Sequence, residues 1–160
     1  MKFVHLVEIN DPLNPLIEPL TREQLWRGLV LRAEAPKRFV AWLDGCEIRS
    51  DGVDILARTL NYGEAAIRDT VRFTAQKAVQ YDVPAQGDIP ASLLLVAIEE
   101  PGEGLLNVRF SYDDFTEETP GSMEAFYNEF RRSAYQEADI DTVRVIRELA
   151  AEGLLGPLQS

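Results

Sequence analysis

The chain has 160 residues, 46% hydrophobic and 27% charged, which excludes a disordered or low-complexity protein and is enough to form one folded core. Its 27 acidic and 16 basic residues give a formal net charge of -11, which argues against nucleic acid or an anionic membrane surface as a partner. With one cysteine, Cys46, and one histidine, His5, an internal disulfide and a structural zinc site are also excluded. We expect neither a metal nor a cofactor.

The distribution of apolar residues gives no sign of a secreted or membrane-inserted protein. The amino-terminal residues lack the basic and apolar segments of a signal peptide. The most apolar run, residues 91–98, is far shorter than the roughly 18 apolar residues that a membrane helix needs. We therefore expect a cytoplasmic protein without membrane insertion.

The first part of the chain predicts one strand and two short helices. Lys2–Ile9 is rich in β-forming residues and alternates in polarity, and a proline-rich loop follows it. Thr21-Arg22-Glu23-Gln24 is typical of a capping box and predicts a helix that runs to about Glu34. Pro36 suits the first turn of a second short helix, which would include residues 39–42.

Six further strands are predicted between Cys46 and Asp113, because short stretches of period two alternate with turn residues. Neighbouring strands along the chain usually pair, so an antiparallel meander is expected. The six segments are Cys46–Ser50, Asp54–Tyr62, Ala65–Thr74, Ala78–Val83, Ala91–Glu99 and Leu105–Asp113.

The last third predicts a long amphipathic helix that ends at Gly153. Its apolar residues are expected to face the sheet, and they are Met123, Phe126, Tyr127, Phe130, Ala134, Ala138, Thr142, Val145, Ile146 and Leu149. The predicted fold class is α+β: a curved antiparallel sheet of about seven strands grips the long C-terminal helix, with two short helices between strands 1 and 2.

One hairpin reveals its own register. Tyr62-Gly63-Glu64-Ala65 suits a two-residue turn with glycine at the first central position, and this turn places Arg58 opposite Asp69. The pair shares the more apolar face of the hairpin with Leu56, Leu60, Ile67 and Val71. Either the two charges lie at a solvent-exposed rim, or they line a wet, ligand-accepting cavity between the sheet and the helix.

The second alternative predicts a ligand-binding cavity lined by inward-facing residues of the sheet and the long helix. The candidates are Arg58, Asp69, Tyr62, Leu60, Ile67, Val71, Tyr81, Phe110, Tyr112, Phe126, Tyr127 and Phe130. His5 is either a general base facing this cavity or a packed or surface histidine. Cys46 is expected to be a small buried hydrophobe.

The order of elements resembles the SRPBCC superfamily, whose START-like fold is called helix-grip. Ile9–Pro12, Leu20–Leu31, Pro36 and Cys46–Ile48 resemble its AtaL-like branch of small, uncharacterised proteins, and the string Leu20-Thr21-Arg22-Glu23-Gln24 is the most specific part. The resemblance implies a START-like domain over residues 1–160 with a hydrophobic tunnel between sheet and helix. It implies no catalytic motif, because the superfamily uses the same cavity with different residues.

Three functions from different classes remain open. The first is the binding of a small hydrophobic, amphipathic or aromatic molecule in the cavity. The second is an enzyme like the polyketide cyclases or dehydratases, in which Asp69 or His5 moves a proton and Arg58 or a tyrosine stabilises an oxyanion. The third is a protein interaction module with a closed core, whose partner would be another protein or a second copy in a homodimer.

Overall fold

In the computed structural model, which describes residues 1–156, a seven-stranded antiparallel sheet curves around a long helix. The strands in chain order are β1 (Lys2–Asn10), β2 (Gly45–Ser50), β3 (Ile55–Tyr62), β4 (Ala65–Thr74), β5 (Ala78–Val83), β6 (Ser92–Glu99) and β7 (Leu106–Asp113), and the helices are α1 (Arg22–Glu34) and α2 (Met123–Ala151). The order across the sheet is β1-β7-β6-β5-β4-β3-β2, so β2 to β7 form a meander and β1 pairs with β7. The predicted α+β fold is confirmed, and the end of the predicted domain at residue 160 lies outside the described residues.

Helix α1 begins at the predicted capping box. The Thr21 hydroxyl accepts a hydrogen bond from the Gln24 amide at 3.0 Å, and the Gln24 side chain accepts one from the Thr21 amide at 2.9 Å. These bonds satisfy two backbone donors that the start of a helix leaves unpaired. The short helix predicted after α1 is a single 3₁₀ turn, Pro36–Arg38, and residues 39–42 form turns instead of continuing it.

The β3–β4 hairpin has the register that its sequence predicts. Tyr62 pairs with Ala65, and Arg58 pairs with Asp69. Gly63, at the first central position of the turn, has a φ of 59°. Because residues that share a register position share a face, the hairpin turn alone determines that Arg58 and Asp69 point to the same side of the sheet.

The apolar core lies between the concave face of the sheet, α1 and the C-terminal half of α2. Its fully buried members include Leu29 of α1, Phe110 of β7 and Ile146 of α2. A Cβ at Gly28 would lie 2.7 Å from the Ile146 side chain, so glycine is what allows α1 to approach α2 this closely. The C-terminal half of α2 therefore supplies the packed core.

The N-terminal half of α2 presents a different face to the sheet from the one predicted. Phe126 and Phe130 are 57% and 62% exposed, and Met123 and Tyr127 are exposed as well. The predicted apolar stripe advances by steps of four residues between 130 and 142, and each step rotates it by about 40° around the helix. Over three steps it turns away from the sheet, so the prediction that Phe126, Tyr127 and Phe130 line a cavity is wrong.

The residues of this half that are turned inward are polar or amphipathic. Asn128 is fully buried, donates a hydrogen bond to Glu118 at 2.8 Å and accepts one from Arg131 at 2.6 Å. Tyr135 is partly buried, and Asp139 is fully buried. Since buried polar groups are stable when they are hydrogen-bonded, the chain can turn these residues inward and leave three aromatic rings exposed.

The hairpin turn can be tested through Gly63. A Cβ there would have no heavy atom within 4 Å, so a side chain is opposed by the positive φ and not by a clash. We expect Gly63→Val to lower the free energy of unfolding by about 1 kcal/mol or more, because a β-branched residue is strained in this region. Glu64→Val, the exposed neighbour without a positive φ, is the control. Equal stability of both variants in urea denaturation would contradict the assigned turn.

Candidate ligand-binding cavity

A cavity of about 340 Å³ lies between α1, the segment 36–42, the sheet and the middle of α2. This volume is at the lower end of the range for small-molecule sites. Most of the wall is apolar or aromatic, and its residues include Phe39, Val40, Leu60, Tyr62, Tyr81, Val83, Leu93, Leu94, Tyr112 and Tyr135. The polar wall residues include Arg32, Arg58, Asp69 and Thr142. The space is thus suited to a small molecule with an apolar body and a polar group.

Some of the residues predicted to line a cavity do so in the structure, and others lie elsewhere. Six of them do line the cavity: Arg58, Leu60, Tyr62, Asp69, Tyr81 and Tyr112. Val71 and Phe110 are fully buried in the core, and Ile67 lies outside the wall, so the assignment is wrong for these three. Strand periodicity identifies the inward face, but it does not tell whether an inward side chain meets a cavity or another side chain.

Arg58 and Asp69 form a buried ion pair, and neither residue is more than 6% exposed. The Arg58 Nε donates to Asp69 Oδ1 at 2.8 Å, and Nη2 donates to Oδ2 at 2.6 Å. This bidentate geometry is typical of a strong guanidinium–carboxylate pair. Burial lowers the pKa of Arg58, but the hydrogen bonds to Asp69, the charge of Asp69 and the neighbouring Tyr81 and Cys46 together raise the pKa above its ordinary value. The pair therefore lies inside the fold and not at a solvent-exposed rim.

The same guanidinium also joins the hairpin to α1. Arg58 Nη1 donates to the backbone oxygen of Ala33 at 2.8 Å, in the last turn of that helix. A backbone oxygen at a helix end has no partner within the helix, so this bond satisfies it. One side chain thus holds β3, β4 and the end of α1 in a fixed arrangement around the cavity.

Arg32 is a polar wall residue that was not predicted from the sequence. Its guanidinium carbon lies 4.8 Å from the centroid of the Tyr81 ring, and its Nε is 3.4 Å from the Thr142 hydroxyl. Burial lowers the pKa of Arg32, but Tyr81, Tyr112 and Asp139 raise it, so that the net shift is upward. A signal was present in the sequence: position 32 follows the buried Leu25 and Leu29 at helical spacing.

A second polar cluster adjoins the cavity at Tyr112. The Tyr112 hydroxyl donates a hydrogen bond to Oδ1 of Asp139, and Oδ2 of the same carboxylate is 3.0 Å from Nδ1 of His5. Asp139 is fully buried, and burial raises its pKa, although the bonds to Tyr112 and His5 act in the opposite direction. Burial and the neighbouring carboxylate also raise the pKa of Tyr112. His5 and Asp139 are not part of the cavity wall, whereas Tyr112 is.

The aromatic rings around this cluster hold it in place. The rings of Tyr112 and Tyr135 stack with centroids 4.0 Å apart, and Phe3 stacks on both of them and on His5. His5 was predicted from the sequence as a candidate and Asp139 was not, because the apolar stripe of α2 indicates the wrong face of the helix as the inner one. Once the face is corrected, the lone histidine has a buried carboxylate as its partner.

Three further expectations from the sequence concern Cys46, metal binding and membrane crossing. Cys46 is a free thiol of intermediate exposure rather than fully buried, and partial burial raises its pKa. Within residues 1–156, no group of three or more His, Cys, Asp or Glu side chains is arranged to hold a metal ion. Over the same range, no helix combines the length and the apolar character required to cross a membrane.

Comparison with known families gives one match that covers most of the chain. The family model described as "AtaL: Acetylaranotin biosynthesis cluster protein L" matches residues 7–153. No curated protein matches the chain.

Several solved structures share the fold at low sequence identity. The di-domain ARO/CYC protein StfQ from the steffimycin biosynthetic pathway is 10% identical with a TM-score of 0.67, over 94% of this chain and 50% of that one. The di-domain ARO/CYC protein BexL from the BE-7585A pathway is 12% identical with a TM-score of 0.62, over 92% of this chain and 49% of the other. This chain thus spans about half the length of either di-domain protein.

A smaller protein of the same fold matches along nearly its entire length. Aha1 from Colwellia psychrerythraea, solved as a dimer in solution, is 14% identical with a TM-score of 0.59 and is covered to 96%, with 91% of this chain aligned. At these identities, the structural matches establish the fold alone.

The buried ion pair gives a prediction about stability. Asp69→Leu leaves the Arg58 guanidinium buried without its carboxylate, so we expect the free energy of unfolding to fall by about 3 kcal/mol or more. The double variant Arg58→Leu/Asp69→Leu should recover part of that loss, because no charge is then left unpaired. Asp82→Leu, which removes a carboxylate 3.9 Å from Arg72 on a more exposed part of the sheet, should cost less than about 1 kcal/mol. Similar losses in Asp69→Leu and Asp82→Leu, measured by urea denaturation, would contradict a special role for the buried pair.

The buried carboxylate gives a prediction about pH. Because the pKa of Asp139 is raised in the folded state, the folded protein holds this proton more tightly than the unfolded chain does. The resulting stability is present below the ordinary aspartate pKa of about 3.9 and is lost as the pH rises through the higher folded value. We therefore expect the Tm of the wild type, relative to Asp139→Asn, to fall as the pH increases from about 4. A difference in Tm that does not vary with pH would show that Asp139 does not titrate in this way.

Proposed function

This chain belongs to the AtaL family, and we propose that it binds a small amphipathic or aromatic molecule in the cavity between the sheet and α2. The observation that carries the proposal is the cavity itself. A folded interior normally packs without voids much larger than a water molecule. Here the space is bounded by apolar and aromatic side chains, with two arginines and several tyrosines grouped in the wall. Such a combination favours a ligand with an apolar body that polar groups orient.

Two proteins with this fold have names that fit the proposal. StfQ and BexL are ARO/CYC proteins of biosynthetic pathways, and the model of the family to which this chain belongs is also named after a biosynthesis cluster. We propose a product or intermediate of secondary metabolism as the class of ligand. A cytoplasmic location is also part of this proposal.

An enzyme related to polyketide cyclases is the second candidate, and it is favoured by the cluster at Tyr112. Tyr112 lines the cavity and donates a hydrogen bond to Asp139, which in turn contacts the only histidine of the chain. A ligand oxygen at Tyr112 would therefore be linked to two further titratable groups. Conversion of a bound compound that stops in Tyr112→Phe, while binding persists, would assign this second function.

An interaction module with a closed core is less well supported, because the fold contains an unfilled cavity of about 340 Å³. A partner protein or a homodimer would then have to use another surface, such as the exposed rings of Phe126, Tyr127 and Phe130. That surface is compatible with ligand binding inside the cavity. Partner binding therefore does not replace the first proposal.

Binding can be tested by filling the cavity. Leu60 lines the wall, and its neighbour Thr59 points to the opposite face of β3. We expect Leu60→Trp to abolish the rise in Tm that aromatic and acyl compounds cause in the wild type, because the indole occupies their space. Thr59→Trp adds the same ring outside the cavity and should keep the response.

The comparison has a clear negative outcome. If a compound stabilises the wild type and both tryptophan variants equally, it binds elsewhere on the protein. If no aromatic or acyl compound in a broad panel, neutral or charged, shifts the Tm of the wild type, the proposal of a ligand-binding cavity fails. A circular dichroism spectrum of each variant ensures that the comparison is made on folded protein.

A further inference from the structure

We propose that the cavity recognises an anionic group on its ligand, of the carboxylate type, through Arg32 and the hydroxyl of Tyr81. The inference rests on the proposed function and names the chemical class of the ligand. It starts from two unsatisfied groups that lie in the same part of the wall. One group lacks a hydrogen-bond acceptor and the other lacks an opposite charge, and a single anionic acceptor would supply both.

The first group is the Tyr81 hydroxyl. Tyr81 is 5% exposed, and its phenol oxygen is the one buried side-chain nitrogen or oxygen in residues 1–156 that has no hydrogen-bond partner. A buried polar group without a partner destabilises the fold, and such groups are rare in native proteins. Tyr81 belongs to the cavity wall, although its hydroxyl oxygen is covered. We infer that an anion bound at this wall reaches the hydroxyl through a local shift of the side chains and accepts its hydrogen bond.

The second group is the guanidinium of Arg32. In the described part of the chain, no carboxylate lies within 4.0 Å of it, and its one hydrogen bond is the long contact of 3.4 Å with Thr142. A guanidinium has five N–H donors, so most of those on Arg32 have no partner among residues 1–156. Arg32 is partly buried, and apart from Thr142 its guanidinium lies against the ring of Tyr81. A charge that is partly removed from water in this way normally has an opposite charge beside it.

The other charges near this point are already neutralised. Arg58 lies 5.2 Å from the centroid of the same ring, but its charge is balanced by Asp69. Asp139, the carboxylate that contributes to the charge environment of Arg32, is bound to Tyr112 and His5. Arg32 is thus the cation of the wall that remains without an opposite charge.

The acidic residues of the wall have donors of their own. Asp114 binds the amino group of Met1, Asp141 forms an ion pair with Arg144 at 2.7 Å, and Asp113 accepts a hydrogen bond from the Phe115 amide at 2.8 Å. They leave Arg32 and Tyr81 available to an incoming anion. Two aligned donors from a guanidinium and one from a phenol suit the two oxygens of a carboxylate.

The test compares two probes of the same shape, naphthalene-2-carboxylate and the neutral naphthalene-2-carboxamide, by isothermal titration calorimetry. We expect the wild type to bind the carboxylate about tenfold or more tightly than the amide, because a charge-assisted hydrogen bond is stronger than a neutral one. In Arg32→Met this ratio should fall to about one, and Tyr81→Phe should give an intermediate ratio. Arg32→Lys keeps the charge without the planar fork and should retain part of the preference.

Arg27→Met is the matched control, since it removes an arginine from the same helix outside the cavity, where Arg27 pairs with Glu23. It should leave the ratio unchanged. Thermal denaturation of each variant verifies that it folds, and the Lys and Phe variants keep the test valid if Arg32→Met does not.

The outcomes separate this inference from the proposed function. If the wild type binds both probes equally, or if the preference for the carboxylate survives in Arg32→Met and Tyr81→Phe, recognition of an anion by these residues is wrong and the cavity still binds ligands. If Tyr81→Phe changes stability but not the ratio, the hydroxyl serves only the fold and the inference is wrong for Tyr81. If the wild type binds neither probe and no compound of the broad panel shifts its Tm, both the inference and the proposed function are contradicted. If it responds to neutral compounds of that panel but to no carboxylate, the inference alone is contradicted.

Discussion

The arrangement around the cavity depends on the buried ion pair between Arg58 and Asp69. Its three hydrogen bonds connect two neighbouring strands to the last turn of α1, and they are made by a single guanidinium. Removing two charges from water is costly, and an apolar pair of the same volume often gives equal or higher stability. What the ion pair adds is a defined geometry. It sets the end of α1 relative to the hairpin, and that end carries Arg32 into the wall.

Helix α2 divides the interior into a packed part and an open part. Its C-terminal half contributes Val145, Ile146 and Leu149 to the core, where Gly28 lets α1 come close. Its middle passes over the cavity with Tyr135 and Thr142. The packed core and the cavity wall therefore use different segments of the same helix. The middle of α2 can carry polar residues, while its C-terminal half carries the apolar stripe.

Much of the fold could be predicted from the sequence because local rules determine it. The turn at Gly63 fixes the register of β3 and β4, and the capping box at Thr21 fixes the start of α1. These signals act over a few residues and do not require knowledge of distant parts of the chain. The pairing of Arg58 with Asp69 followed directly from the turn.

The candidate site was only partly predictable, because it depends on which inward residues meet each other. Strand alternation could not separate the wall residue Tyr81 from the core residue Phe110. An apolar stripe on α2 pointed to Phe130, whereas the fold buries Asp139, whose carboxylate is satisfied by two partners from the sheet. Arg32 was missed because a charged residue on an inward helical face is exceptional. The residues that violate simple patterning are those that supply the polar groups of the site.

The most direct measurement is native mass spectrometry of the protein purified without any added compound. A cavity that binds an amphipathic metabolite predicts a fraction of molecules with added mass, released by collisional activation and recovered by solvent extraction as one organic compound. The extracted compound should have an apolar body and an acidic group. Spectra that show only the bare chain, under gentle conditions and from several expression hosts, together with no binding of the extracts of those hosts, would contradict a ligand-binding function for this cavity.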